Sequence, residues 1–259
     1  MFRRFGDVLL NTVSFGAGPT TFVGVGGWIG NWELWQQPFE QMSQRWRTIA
    51  YDHYGAGETV VPLDRLTFEH QVDALFEVLD SFGIERCILG GESNGGTVAM
   101  AAALRQPDRF SELVIVDGPH SEFDNAATRQ FIAALRADFP RTIAGFVEMC
   151  VPESDCEHVK RWARDILLRS DADSGVRLLE CMFEVDLRPR LAEIRIPTLV
   201  IHGELDALPM TRLTAAEETA RLIPEATLHV IKGAGHVPTL TRPDEVVKAI
   251  EDFVSGSGS

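Results

Sequence analysis

The stretch Leu89-Gly90-Gly91-Glu92-Ser93-Asn94-Gly95-Gly96 constrains this chain more than any other. An apolar run, Arg86-Cys87-Ile88-Leu89, precedes it and reads as a buried strand. Residues 97–104 follow it and read as a buried helix. A strand that passes into a helix through Gly-x-Ser-x-Gly turns sharply and holds its serine in a strained backbone conformation. Only small residues two before and two after the serine escape collision with the neighbouring strand and helix. Gly91 and Gly95 occupy those places. Such a turn presents the Ser93 hydroxyl at the C-terminal edge of a sheet and the Asn94 amide at a helix N-terminus. Average residue usage gives roughly 0.1 chance matches to the motif in a chain of this length. The motif therefore needs partners elsewhere in the chain before it means catalysis.

The rest of the chain supplies a context for it. Apolar strand patterns lie at 8–15, 20–25, 46–51, 113–116, 197–201 and 226–231. Helical spacing lies at 32–42, over Phe68, Val72, Leu75, Phe76 and Leu79, near 211–223, and at 244–254. Alternating strands and helices with short loops predict an α/β protein with a mostly parallel, doubly wound sheet. From 121 to 190 the grammar changes: no strand is convincing, and helical stretches follow one another at 126–138, 141–150, 155–169 and 173–185. This segment is expected to be a helical cap inserted between two strands of a core made of 1–120 and 191–254. Its apolar residues are Phe123, Phe131, Leu135, Phe139, Phe146, Met149, Trp162, Ile166, Leu167, Leu179, Met182 and Phe183. Most are expected to pack the cap and a few to line a pocket. Residues 255–259, Ser-Gly-Ser-Gly-Ser, read as a flexible, linker-like tail appended to the fold.

Composition narrows the class. A chain of 259 residues can bury one large core, and a net charge of −14 argues against nucleic acid and anionic membrane surfaces as partners. The four cysteines, Cys87, Cys150, Cys156 and Cys181, form no Cys-x-x-Cys pair and stand at no zinc-type spacing from histidine. They are expected to be reduced thiols. The N-terminal stretch lacks the apolar core of a signal peptide, and no run approaches a membrane-spanning length. A cytoplasmic protein, monomeric or homodimeric, is expected.

A serine hydroxyl needs a general base, and the base needs an orienting carboxylate. His236, in Lys232-Gly233-Ala234-Gly235-His236, follows a strand in a glycine-rich loop from which it can point at the sheet edge. His229 lies within a strand pattern, His70 on a predicted surface helix, and His120 and His158 in or near the inserted segment. Asp206, just past the strand that restarts at Pro197, is the preferred acid; Asp117, which also ends a strand, is its rival. Glu204, closer to the strand end, is expected to make a solvent or capping contact.

Taken with Gly26-Gly27-Trp28 and Asp52-His53-Tyr54-Gly55-Ala56-Gly57, the ordered set Ser93, Asp206, His236 resembles the α/β-hydrolase superfamily over residues 8–254. The resemblance implies an oxyanion hole made by the backbone amides of Trp28 and Asn94. Gly26 stands where the family usually has histidine, and Tyr54 where it often has arginine; the segment around Tyr54 is read as structural. The resemblance implies a serine hydrolase of carboxylic esters or lactones, acting on a small molecule through an acyl-enzyme with no metal, nucleotide or organic cofactor. Rival readings are a carbon–carbon bond hydrolase of ring-cleavage products, a haloperoxidase or perhydrolase-like enzyme, and a slow-turnover ligand sensor. Serine at the elbow argues against dehalogenases and epoxide hydrolases, which use aspartate there.

Overall fold

Eight strands pair into one sheet in the computed structural model of the chain, which describes residues 1–121 and 125–257. They are β1 Phe2–Phe5, β2 Val8–Phe15, β3 Thr21–Val25, β4 Arg47–Tyr51, β5 Cys87–Glu92, β6 Phe110–Val116, β7 Thr198–Gly203 and β8 Ala226–Ile231. Their spatial order is β1-β2-β4-β3-β5-β6-β7-β8. The β1–β2 and β2–β4 pairs are antiparallel, and every pair from β4 to β8 is parallel. Strands β3, β5 and β7 are buried along nearly their whole length, as parallel strands covered on both faces must be. β1 escaped the sequence reading because its four half-exposed residues carry too short an alternation to register. Gly6, at φ +57°, turns it directly into β2.

The helices are α1 Gln36–Met42, α2 Phe68–Ser81, α3 Asn94–Arg105, α4 Ala126–Ala137, α5 Phe139–Cys150, α6 Glu157–Leu167, α7 Ala172–Glu180, α8 Leu213–Leu222, α9 Pro238–Thr241 and α10 Pro243–Ser257. α1 packs with α9 and α10, while α2 packs with α3. The stretch expected as a helix or helical loop at 32–42 begins as a 3-10 turn, Trp32–Trp35, capped by the Asn31 side chain. α10 continues to Ser257, past the expected stop at Val254 and into the segment read as a tail. Serine and glycine in a final exposed turn cost a helix only about 1 kcal/mol each. Residues 258–259 lie outside the described residues, as does Phe123.

The chain moves outward from β3 to β4, then returns across β3 to lay down β5, β6, β7 and β8 in turn. The direction of winding therefore reverses between β3 and β5. In such sheets ligands bind outside the C-terminal strand ends at that reversal. β3 ends at Gly26-Gly27-Trp28 and β5 ends at Ser93, so the two motifs become neighbours by topology.

Helices α4–α7 form the insertion between β6 and β7. Three of them start on side-chain caps: Asn125 for α4, Asp138 for α5 and Asp171 for α7. The two strands of the neck meet at an antiparallel bridge, Ser121 to Asp186, beside a Leu187 N–H to His120 carbonyl bond of 3.0 Å. Glu33, from the core loop after β3, ties the insertion down. It accepts from the Trp162 indole N–H at 2.7 Å and pairs with Arg169. Removing a nearly buried acceptor leaves the indole N–H unpaired, which costs about 1–3 kcal/mol. Glu33→Ala is expected to lower the unfolding free energy by that amount in urea titrations, and an unchanged midpoint would show that the strap carries no load.

Candidate active site

The elbow forms as its glycines require. Ser93 sits at φ +50°, ψ −127°, a conformation a side chain adopts only under constraint. A Cβ on Gly91 would stand 2.3 Å from the Gly95 carbonyl oxygen, and one on Gly95 would stand 2.5 Å from that of Val25. The Ser93 N–H donates to Val116 O at 2.8 Å, and Gly96 N–H donates to Ser93 O at 2.8 Å, so both sides of the turn are tied.

Three side chains converge there. His236 Nε2 lies 3.0 Å from Ser93 Oγ, and its Nδ1 lies 2.8 Å from Asp206 Oδ2. Asp206 leaves the end of β7 through a turn, its N–H donating to Gly203 O at 3.0 Å while its Oδ1 accepts from Leu208 N–H at 2.9 Å. The loop carrying His236 is gripped from the insertion. His236 N–H donates to Cys150 O at 2.8 Å, and Gly235 N–H donates to Glu153 Oε1 at 2.9 Å. Glu204 is exposed, in keeping with the expected solvent or capping contact, and accepts from Gly233 N–H at 3.0 Å, joining the Asp206 loop to the His236 loop.

Asp117 also reaches this cluster. One ligand atom from each of Asp117, Asp206 and His236 lies within 4.8 Å of the others. Most of the atoms of this group are engaged within the protein, and Asp117 Oδ2 alone is buried without a hydrogen-bond partner. His236 Nδ1 faces Asp206, and Asp117 Oδ1 accepts from Gly203 N–H at 3.0 Å with His202 Nδ1 also 3.0 Å away. The two acids are driven apart electrostatically. Burial raises the Asp117 carboxyl above its ordinary range despite its neighbours His202 and His236. Burial pushes Asp206 up as well, but the attraction of His236 and bonds from His236, Thr211 and Leu208 outweigh it and hold Asp206 below its ordinary value. Asp206 is thus the carboxylate that stays ionised against the imidazole.

The predicted oxyanion donors border the same point. Gly27 packs so closely on the elbow that a Cβ there would lie 2.6 Å from Ser93 Cβ. Trp28 sits at φ +28°. Neither the Trp28 nor the Asn94 amide donates to a protein acceptor among the described residues. Sequence reasoning missed what holds Trp28. The Nε2–H of buried His53 donates to its carbonyl oxygen, and burial keeps this imidazole neutral by lowering its pKa to about 4. Asp52 works beside it, accepting from Trp32 N–H at 3.0 Å and from Asn11 and Glu58 at 2.9 Å. The pairing of β3 with β4 is the signal that brings these loops together.

Glu92, the residue before the nucleophile position, was also missed. It is fully buried and accepts from Gly27 N–H at 3.1 Å, and burial raises its pKa to about 7. Burial would lower His236, but Asp206, Glu92 and Asp117 together lift it to about 9.

Two cavities open on Ser93, divided by the rings of Trp28 and Phe146, which meet edge to face at 5.3 Å between centroids. The larger, about 240 Å³, runs beneath Phe131, Met149, Leu179, Leu208 and Met210. The smaller, about 40 Å³, lies beside His236 and is closed by Val147, Ala163, Ile166 and Leu167. Of the insertion's apolar residues, Phe131, Phe146, Met149 and Leu179 reach the first, and Phe146, Ile166 and Leu167 the second.

A mostly parallel sheet with a serine elbow at its winding reversal, facing a histidine and an acid from two later strand ends, defines an α/β hydrolase. Accordingly, the sequence profile described as the alpha/beta hydrolase family matches residues 22–249, and the chain belongs to that family. It is 30% identical to a pimeloyl-[acyl-carrier protein] methyl ester esterase of Edwardsiella ictaluri over 93% of this chain and 95% of that one. It is 27% identical to 3-oxoadipate enol-lactonase 2 of Acinetobacter baylyi over 95% and 92%. A solved thermophilic esterase from Thermogutta terrifontis superposes with a TM-score of 0.88 at 27% identity, covering 97% of this chain and 95% of that one. Among the described residues no helix is long and apolar enough to cross a membrane.

A base must be neutral to accept a proton, so turnover is expected to rise with pH toward the His236 value of about 9. Glu92 is ionised over the upper part of that rise and stabilises the imidazolium. Glu92→Gln is therefore expected to move the acid limb of the kcat/KM profile to lower pH. A limb that stays in place would mean that Glu92 exerts no charge effect on the base.

Proposed function

We propose that the protein is a serine hydrolase of carboxylic esters or lactones, with Ser93, His236 and Asp206 as its catalytic triad. The observation that carries this reading is the continuous chain from Ser93 Oγ to His236 Nε2, at 3.0 Å, and from Nδ1 to Asp206, at 2.8 Å, at the floor of an apolar cavity. Relatives named as an ester esterase and an enol-lactonase support the same class of substrate. We take the bridge at Ser121 and Asp186 as the neck of a cap, residues 121–190, that roofs the site.

In the first half-reaction Ser93 Oγ bonds to the carbonyl carbon and its proton passes to His236 Nε2. The carbonyl electron pair moves onto oxygen, where the Trp28 and Asn94 amides receive it; losing one such donor typically costs on the order of 10²–10³ in rate. The pair then returns, the bond to the leaving oxygen breaks, and His236 delivers its proton to that oxygen. In the second half-reaction water attacks the acyl-enzyme, gives a proton to Nε2, and the acid leaves as the proton returns to Ser93 Oγ. Asp206 holds the ring in register and stabilises its charged form throughout.

Ser93→Ala is expected to lower kcat for a simple ester by on the order of 10⁴-fold or more with an unchanged circular dichroism spectrum. Undiminished turnover would end the serine-nucleophile reading. Asp206→Asn is expected to cost on the order of 10³–10⁴ in kcat. Asp117→Asn, which retains an acceptor for Gly203 N–H, is expected to cost about ten-fold or less. The opposite ranking would transfer the acid to β6.

A further inference from the structure

The cavities flanking Ser93 divide the substrate, and we infer that the protein is selective for acyclic, uncharged esters of a small alcohol, methyl or ethyl, with a medium-length apolar acyl group. This inference rests on the serine-esterase reading above. His236 must return its proton to the leaving oxygen, so the alcohol has to depart on the side where His236 forms the wall. That side is the smaller cavity, about 40 Å³, bounded by His236, Val147 and Leu167. An apolar cavity of about 150 Å³ takes the six heavy atoms of benzene, so on the same scale roughly one or two heavy atoms fill this space. The acyl group then takes the larger cavity, about 240 Å³, which His236 does not line. An apolar cavity of about 150 Å³ accepts benzene, so the larger one accommodates roughly eight to ten heavy atoms.

The wall between them is built to stay. Trp28 and Phe146 stand in contact, Phe131 packs on both at 5.5 and 5.4 Å, and the Trp28 indole N–H donates to Gly175 O at 2.8 Å. A lactone carries its leaving oxygen in the same ring as its acyl carbon, so this division serves an acyclic ester better. Among the described residues the larger cavity is lined by no lysine or arginine. A carboxylate on the acyl chain would meet no cationic partner there and would give up water against a mostly apolar lining, which is unfavourable.

The test is a pair of ester series on the wild-type protein. One varies the alcohol of an octanoate from methyl to butyl; the other varies the acid of a methyl ester from acetate to tetradecanoate. A single methylene misfitted in an apolar pocket costs about 10–200-fold. We expect kcat/KM to fall at least about ten-fold between ethyl and butyl octanoate, to peak at acyl chains of about six to ten carbons, and to fall at least ten-fold from methyl hexanoate to monomethyl adipate. Leu167→Ala is expected to restore butyl esters while leaving the acyl optimum in place. Ala127→Phe, at an exposed position lining the larger cavity, is expected to shorten the acyl optimum alone. Equal tolerance of long alcohols and long acids would overturn the division while leaving the esterase reading intact. Hydrolysis that persists in Ser93→Ala would overturn that reading and the division with it.

A separate cluster behind the oxyanion loop carries a second inference. Tyr51 Oη, His53 Nδ1 and Gln71 Oε1 are buried and have no protein partner, and all three residues border one cavity of about 20 Å³ beside Gly26. That volume holds a single water, which needs two to four polar partners. The geometry points to a bound water that accepts from Tyr51 Oη–H and donates to His53 Nδ1 and Gln71 Oε1. It fixes the tautomer in which His53 Nε2–H supports the Trp28 carbonyl. A crystal structure at about 1.5 Å is expected to show one water within hydrogen-bond distance, ~2.7–3.2 Å, of all three atoms. In Tyr51→Phe that water should be lost or displaced. Direct protein–protein bonds among the three groups, or a cavity without density, would overturn the assignment.

Discussion

Backbone packs directly on backbone where β3, β5 and β6 end, and the site depends on that close approach. Gly95 lies against the Val25 and Gly26 carbonyls, and Gly27 lies against Ser93. Among the described residues three non-glycine positions have positive φ: Trp28 at +28°, Ser93 at +50° and Asp117 at +47°. Each follows one of these three adjacent strands. Strain of this kind costs about 1–3 kcal/mol per residue and persists only where surrounding bonds over-determine it. Those bonds are visible: Val116 O for Ser93, His53 for Trp28, and Gly203 N–H for Asp117. The geometry at the winding reversal is therefore held by the sheet and its adjoining loops.

The same crowding shapes the electrostatics. Three carboxyl groups, Glu92, Asp117 and Asp206, act on one imidazole in a place with little water. They cannot all ionise cheaply, and their environments separate them. Asp206 collects hydrogen bonds and stays charged, Asp117 is raised by burial, and burial lifts Glu92 to about 7. The arrangement gives the base an opposite charge at Nδ1 and a second, tunable one nearby. A lone acid at Asp206 would orient the ring equally well but would leave its protonation range less dependent on its surroundings.

Much of this was legible in the sequence because it is encoded locally. Gly-x-Ser-x-Gly between a strand and a helix carries its own steric reason, and the order of later strand ends brings Asp206 and His236 to the same edge. The four cap helices could be read from apolar spacing, although α7 stops at Glu180 where 185 was expected. What stayed hidden depends on pairing across the sheet. β1 exists only because β2 offers it an edge, and His53 matters only because β4 pairs with β3. Glu92 looked like a variable position inside a motif, since nothing in the local pattern says that its side chain turns inward toward Gly27. Glu204 is exposed as its position suggests, but its bond to Gly233 spans a helix and a strand and leaves no local signal.

The insertion is more than a roof. It contacts the core through Glu33 with Trp162 and Arg169, through Trp28 with Gly175, and through Cys150 and Glu153 with the His236 loop. The first grip holds α6 and the turn after it to the core, the second holds the Trp28 ring, and the third holds the loop that carries His236. α5 takes part in both cavities and in the base loop: Phe146 stands in the dividing wall, and Cys150, one turn later, accepts from His236 N–H. One helix thus contributes both to the shape of the cavities beside Ser93 and to the hold on the loop that carries His236.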